Sequence, residues 1–319
     1  RIISLPDDAR KLLEIVAVAG QPLERTIAKE ASQLDSQEQT TIALLRANRM
    51  LRLKGTKQQE KLEAYHDRIR ETVIANLPPE KLKAHHRKLA SLLETTADPE
   101  RLANHFYKAG NTEKAAKYAF DAAEKAYTAL AFDQAARLYQ LALELCKEDS
   151  QKHELQVKLA NSLANAGRNY EAAQNYLAAI KTADELEALE LRQRASDQLL
   201  RCGHLKESFA ELKIITEKVG IKIAETPLKA ILSFLVNRVK LWFRGLDFNE
   251  RPANEVPPEV LLRLDTFRSI ASGLSLIDAT RGIDLQSRYL LFALRVGEPQ
   301  RISLALAIEA GYSASAGSR

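Results

Sequence analysis

The first hundred residues combine two hydrophobic periods. Five segments repeat apolar side chains three and four positions apart, which predicts amphipathic helices, the third of them beginning at Ser36. Residues 50–55 and 61–66 instead alternate apolar with polar positions on either side of a turn-forming stretch, which predicts a β-hairpin. The predicted helices are residues 6–20, 22–32, 36–49, 67–77 and 80–94.

Three helices followed by a two-stranded wing follow the plan of the winged helix, so we predict a winged-helix domain with a short β-hairpin over residues 1–97. In DNA-binding proteins of this plan the third helix enters the major groove. Here that helix carries Arg46 and Arg49, and Arg52 follows in the wing. These cations could contact nucleic acid, form a solvated face or dock a neighbouring domain.

From residue 98 onward, small residues recur at fixed distances from a turn. An alanine or serine precedes the turn residue by seven positions, and another follows it by five. The turn residue is Gly110, Gly167 or Gly203, and Leu130 takes its place in a fourth set. The pattern resembles the tetratricopeptide repeat, in which small residues let paired helices approach closely. The small residues concerned are Ala103, Ala115, Ala123, Ala135, Ala160, Ala172, Ser196 and Ser208.

These patterns predict a mostly α protein. Residues 98–220 are expected to form tetratricopeptide-like helical hairpins, and residues 221–319 further helical repeats truncated at the C-terminus. Such α-solenoids are binding scaffolds, so we expect a protein or small-molecule effector on the concave face. The chain begins without Met and ends within a helical pattern, which suggests a segment of a longer protein.

Residues 226–244 need separate treatment because a narrow polar stripe follows one side of an otherwise apolar helix. Two interpretations are open. A basic stripe opposite Leu, Phe and Trp242 could lie on an anionic membrane. We favour the alternative, a helix packed between neighbouring helices of the solenoid, so a membrane is not expected as a partner. The stripe consists of Lys229, Ser233, Asn237, Lys240 and Arg244.

Composition narrows the partners and the compartment. The net charge of +5 arises from 47 basic and 42 acidic residues, a mixed surface that does not favour nucleic acid. Cys146 and Cys202 lie within helical patterns, which favours free thiols and a cytoplasmic protein. Hydrophobic residues make up 45% of the chain, so material for a core is plentiful.

The motifs of common enzymes are missing from the sequence. It contains no Gly-rich phosphate loop with Lys and Ser or Thr, no kinase catalytic loop and no Ser nucleophile elbow. No histidine has a Cys or carboxylate partner at a metal-ligand spacing. We predict no catalytic residue and no metal site in this chain. His85 and His86 are interpreted as a solvated helix face, and His105 as an interior or groove histidine.

Longer stretches point to a known family. "YHDRIRETV" at residues 65–73, "HHRKLASLLE" at 85–94 and the repeats that follow are similar to the region after the nucleotide-binding domain in bacterial signal-transduction ATPases of the STAND class. Residues 270–311 resemble the repeat region of large bacterial serine/threonine protein kinases that carry such an ATPase module. The resemblance spans nearly the whole chain.

The resemblance implies a non-catalytic regulatory and sensor segment. The parent protein would bind ADP or ATP in an upstream ATPase domain, while this chain holds no cofactor itself. Tyr65, His66 and Asp67 resemble the Met-His-Asp motif, in which the histidine reaches the phosphates of bound ADP. Asp67 could instead cap a helix that begins near Arg68. Two other functions stay open, a DNA-binding regulator and a stand-alone tetratricopeptide adaptor.

Overall fold

The computed structural model describes residues 2, 4–34, 37–55 and 60–315. The chain divides into two compact units, residues 1–148 and residues 149–319. Helices dominate both units, which confirms the predicted mostly α fold. Among the described residues, no helix combines the length and the hydrophobicity that crossing a bilayer requires.

The first unit contains eight helices and three short strands within its described residues. Its sheet has the order β1-β3-β2 with antiparallel neighbours, and Leu62 of the central strand lies opposite Leu23 and Leu53. The elements are α1 (Asp7–Ala19), β1 (Leu23–Glu24), α2 (Arg25–Ser32), α3 (Glu38–Ala47), β2 (Leu51–Lys54), β3 (Lys61–Ala64), α4 (Asp67–Ala75), α5 (Pro79–Leu93), α6 (Pro99–Lys108), α7 (Thr112–Thr128) and α8 (Phe132–Leu145).

The predicted hairpin is present as β2 and β3, but β1 was not predicted. A strand of two residues is too short to show alternation, and the pattern from residue 22 onward was assigned to a helix instead. That helix begins three residues later, at Arg25. Ser36, the predicted start of the third helix, lies outside the described residues, and α3 begins at Glu38.

Helix α1 forms the centre of the first unit. It packs against α2, α3, α4, α5 and β3, and apolar residues on every side of it are buried. Leu12, Leu13 and Ile15 are all fully buried. Gly20 ends the helix in the left-handed conformation, which turns the chain towards β1. The position of α4 is thereby set by contact with the most buried helix of the unit.

The second unit is built from helices in its described residues. They are α9 (Asp149–Asn165), α10 (Asn169–Ala179), α11 (Glu185–Arg201), α12 (Leu205–Val219), α13 (Pro227–Arg244), α14 (Pro258–Ser275), α15 (Ala279–Val296) and α16 (Pro299–Ser315), with short 3-10 turns at Ile180–Thr182 and Ala253–Glu255. Most consecutive helices pack against each other as hairpins. The exception is α13, which packs against α15.

Small residues line the interfaces within the helical hairpins of both units. Ala103 and Ala115 are buried between α6 and α7, as are Ala123 and Ala135 between α7 and α8. In the second unit, Ala160 and Ala172 are buried between α9 and α10. Ser196 and Ser208 play the same part between α11 and α12, where their hydroxyls are 2.7 Å apart. The predicted small positions therefore lie where helices meet.

The predicted turn residues all have positive φ angles. Gly110, Gly167 and Gly203 have φ angles of 79°, 78° and 81°, in the left-handed region that glycine enters without a steric penalty. Leu130 occupies the same kind of turn with φ at 59°, although its side chain is 72% exposed. It therefore bears a backbone penalty with little burial to offset it.

The prediction that residues 226–244 form a helix packed between neighbouring helices of the solenoid is wrong. Helix α13 packs against α15, and its buried residues are Ala230, which lies outside the predicted polar stripe, and Asn237, which belongs to it. Most apolar side chains of the helix are exposed instead, while Leu241 is half-buried against the core of the second unit. The small side chain of Ala230 and the short side chain of Asn237 permit the close approach, whereas the bulky residues on the opposite side do not.

Replacing Leu130 with glycine should stabilise the first unit. Leu130→Gly removes the steric strain of a non-glycine residue in the left-handed conformation. Glycine also raises the entropy of the unfolded chain, but that cost is smaller than the strain removed, so we expect about 0.5 to 1 kcal/mol of stabilisation. The measurement is urea unfolding. Ala129→Gly is the matched control, because Ala129 has a φ of −81° and glycine there should destabilise. A lower unfolding midpoint for Leu130→Gly would contradict this account.

Candidate functional site

The ring of His66 is exposed at the start of α4. The residue precedes the helix with an extended backbone, and its carbonyl accepts a hydrogen bond from the N–H of Ile69 at 3.0 Å. The ring contacts Tyr65 edge to face, with 4.8 Å between centroids. Within the described part of the chain, neither ring nitrogen has a hydrogen-bond partner. Both nitrogens are therefore available to an external group.

Asp67 does not cap α4, so the capping alternative is wrong. The helix begins at Asp67 itself, one residue earlier than predicted, and among the described residues its carboxylate makes no hydrogen bond to a backbone N–H. Its side chain is 89% exposed and forms a 3.6 Å ion pair with Arg70. A carboxylate in the first turn still interacts favourably with the helix dipole.

Of the three arginines proposed for nucleic acid or domain contact, two lie at the end of α3 and one lies on β2. Arg46 lies in the last turn of α3, and Arg49 follows the helix with a φ of 53°. Arg52 on β2 is paired with Glu63 at 2.6 Å, which neutralises its charge. Helix α3 itself contains one acidic and one basic residue. Nothing in this arrangement favours the phosphate attraction that dominates DNA binding.

His85 and His86 are not a solvated face, which corrects the sequence interpretation. His85 lies 3.0 Å from the buried carboxylate of Glu14 on α1, which also accepts a 2.8 Å hydrogen bond from Lys81. His86 is buried with Leu89, Ala90 and Leu93 on one side of α5. The spacing of three, four and seven residues from His86 was a signal that places it in the core.

His86 and His105 form a buried pair between α5 and α6. Their Nδ1 atoms are 2.9 Å apart, so one ring donates a hydrogen bond and the other accepts it. Burial is the main cause that lowers the pKa of His86 to about 4 and that of His105 to about 3, and nearby positive charges contribute to both values. Both rings are neutral at pH 7. His105 is interior, as predicted, but its Nε2 atom is buried without a partner among the described residues.

A cavity of about 590 Å³ in the first unit lies beside this pair. It brings together Arg70 of α4 with Arg101 and His105 of α6. The other charged groups of the cavity have partners. Lys125 forms an ion pair with Asp98, and Glu100 accepts a hydrogen bond from Gln134 at 2.6 Å. Further lining comes from Ala19, Gly20, Gln21, Asn104, Ala122, Ala126, Ala129 and Ala131.

Arg101 is the uncompensated charge of this cavity. Its guanidinium has no ion pair in the part of the chain that the structure describes, and its Nε and Nη2 atoms are buried without acceptors. Burial lowers its pKa, although Glu24 opposes that shift. A guanidinium fits a carboxylate or phosphate through paired N–H groups, so the cavity has the chemistry of an anion site. Sequence reasoning missed it, because Arg70 and Arg101 belong to different predicted domains.

Groups of three or more His, Cys, Asp or Glu residues suited to a metal ion are not found among the described residues. The chain matches no protein-family model and no curated protein. Among solved structures it is similar to a signal transduction ATPase with numerous domains (STAND) protein with a tetratricopeptide repeat sensor from Pyrococcus horikoshii. The identity is 15% and the TM-score 0.41. The match covers 99% of this chain and 42% of that one, so this chain spans less than half the length of that protein.

The buried histidine pair should make the first unit sensitive to acid. The unfolded chain protonates its histidines near pH 6.5, whereas the folded pKa values are about 4 and about 3, so unfolding takes up protons below pH 6.5. The contribution of the neutral pair to the free energy of unfolding is fully present above that pH. It is lost as the pH falls, by about 1.4 kcal/mol per pH unit for each ring. His105→Asn removes one ring and should reduce this slope by about that amount.

The measurement is urea unfolding at several pH values between about 6 and about 5, with amide hydrogen exchange in α5 and α6 as the local reporter. His66→Asn is the control, because it removes an exposed histidine from the same unit and keeps the buried pair intact. Equal slopes for His105→Asn and the wild type would show that the pair is not neutral when folded.

Proposed function

We propose that this chain is a regulatory sensor and interaction segment of a multidomain signalling ATPase of the STAND class, and that it does not catalyse a reaction itself. Residues 1–97 are assigned to a winged-helix domain, supported by the order of three helices and the β1-β3-β2 sheet. Residues 98–220 are assigned to tetratricopeptide-like repeats and residues 221–319 to further repeats. The parent is proposed to be a bacterial cytoplasmic protein, with a serine/threonine kinase domain as a further module.

His66 is proposed to contact the phosphates of ADP held by an upstream ATPase domain. The main support is its exposed ring at the start of α4, which has no competing hydrogen bond among the described residues. An imidazole can donate to a phosphate oxygen from one nitrogen while the other is held by a neighbour. The contact would stabilise the closed, ADP-bound arrangement. Asp67 beside it forms a weak, exposed ion pair with Arg70 and makes no hydrogen bond to the ring in the described part of the chain.

Helix α4 also offers a route from an effector to this contact. His66 precedes the helix, and Arg70 lies about one turn further along, where it lines the cavity with Arg101 and His105. A small anion bound beside Arg101 would therefore touch both α4 and the first repeat helix. The anion would change the equilibrium between the open and closed arrangements only by the difference between its binding free energies for the two. A protein partner on the repeats is the second class of effector.

In a full-length protein carrying the ATPase domain, His66→Ala should weaken ADP retention and raise basal activity. A hydrogen bond to a charged group contributes about 1.5 to 3 kcal/mol, so affinity should fall roughly 10- to 100-fold. Isothermal titration of ADP measures this. His204→Ala, which removes another exposed histidine, is the control, and the present chain should bind no ADP. Unchanged ADP retention in His66→Ala would remove the switch assignment.

Arg101→Met tests the cavity independently of the nucleotide. Removing a half-buried charge that has no counter-ion should raise the melting temperature of the free chain. Added phosphate or citrate should stabilise the wild type by binding the folded state, and this stabilisation should vanish in Arg101→Met. Arg87→Met removes an exposed arginine of α5 and serves as the matched control. Equal stabilisation of both variants by the anions would exclude a site at Arg101.

A further inference from the structure

Helix α13 presents a broad apolar surface to solvent. Leu228, Trp242 and Phe243 are 76%, 78% and 77% exposed. The exposed positions recur three and four residues apart, so they lie on one side of the helix. Scattered exposed apolar residues are ordinary, whereas a contiguous strip of this kind marks an interaction site. The other exposed apolar residues of the helix are Ile231, Leu232, Leu235, Val236 and Val239.

Polar contacts fix this orientation. Ala230 and Asn237 are buried on the side that faces α15. At the end of the helix, Arg244 donates a 2.9 Å hydrogen bond to the carbonyl of Leu294, and Arg238 forms an ion pair with Glu309 of α16. Rotating the apolar strip inward would break these contacts and turn Asn237 away from α15 towards solvent. The apolar side is therefore held outward within the second unit.

The charges of α13 flank the apolar strip. The helix contains four cations and no acidic residue. At about 100° per residue, Lys229 and Lys240 fall beside one edge of the strip and Arg238 beside the other. Lys240 has no ion pair in the described part of the chain, and Lys229 is paired only with the exposed Glu225. Long cationic side chains at the edges of an apolar strip can reach lipid headgroups while the strip enters the acyl region.

We propose that α13 binds in the interface of an anionic membrane, parallel to its surface. The strip from Leu228 to Phe243 would enter the headgroup and acyl boundary, with the indole of Trp242 at the depth that this side chain prefers. Lys229 and Lys240 would lie level with the anionic headgroups, while Arg238 stays paired with Glu309. This inference goes beyond the proposed function, since it depends on neither the nucleotide contact nor the cavity.

A second copy of the chain fits the surface less well. Pairing two α13 helices through their apolar strips brings the cationic edges of both helices together, and neither helix has an acidic residue to compensate. An anionic surface supplies that compensation. Charge therefore favours a lipid surface over self-association.

Trp242 is the only tryptophan of the chain, so its fluorescence reports on α13 directly. With vesicles of phosphatidylserine and phosphatidylcholine, we expect a blue shift, quenching by brominated acyl chains, and reversal by high salt. Vesicles of phosphatidylcholine alone should give a much weaker response. No response to the anionic vesicles would overturn the proposal, as would an equal response to both compositions.

Charge variants distinguish binding through the lysines of α13 from nonspecific attraction by the net charge of the protein. Each cation near an anionic surface contributes about 1 kcal/mol, so Lys229→Gln/Lys240→Gln should bind the anionic vesicles roughly 30-fold more weakly. Lys206→Gln/Lys213→Gln, which removes two exposed lysines of α12, is the matched control and should bind as the wild type does. Equal loss in both double variants would indicate adhesion governed by net charge and refute the proposal.

A third variant tests the apolar strip. Leu232→Ser/Phe243→Ser keeps the Trp242 reporter and changes only exposed side chains, so circular dichroism should match the wild type. Its fluorescence should not shift with vesicles. Retained insertion by this variant would contradict the proposal. A dimer in lipid-free sedimentation that this variant abolishes would assign the strip to self-association instead.

Discussion

Close approach between neighbouring helices is the constraint on which most of this structure depends. The hairpins meet through alanine and serine, so Ala115 and Ala135 are fully buried and Ser196 and Ser208 bond to each other. Small residues allow the axes of neighbouring helices to approach each other, but each buries little apolar area. The stabilisation of the fold is therefore distributed over many helix–helix interfaces. The short connections then require left-handed turn residues such as Gly110. Spacing along the sequence follows from this geometry.

The same constraint explains α13. A helix packs through the side that lets its backbone come closest, and in α13 that side holds Ala230 and Asn237, while most of the bulky residues lie on the other side. The apolar side chains are consequently left for another surface. Hydrophobicity alone would have buried them, and the sequence interpretation relied on hydrophobicity. The exposed strip is thus a consequence of packing, supported by the ion pair of Arg238 with Glu309.

Sequence could predict what periodicity and turn chemistry encode over several residues. It predicted the hairpin of β2 and β3 and the small positions around Gly110 and Gly167. The predictions failed for elements of very few residues and for contacts between residues far apart in the sequence. The two residues of β1 cannot show alternation. The cavity joins Arg70 and Arg101 from different predicted domains, and no local pattern relates them. The position of His66 was predicted by resemblance, while its exposure required the structure.

The histidine pair gives the cavity a physical link to α5. The bond between the Nδ1 atoms of His86 and His105 contains one proton. An anion that accepts from Nε2 of His105 requires a proton on that atom, so in the neutral ring Nδ1 must become the acceptor, and His86 must then donate. Occupancy of the cavity would thereby select one tautomer of both rings without charging either. Because His86 is buried beside Leu89 and Leu93, that selection reaches the core of the first unit.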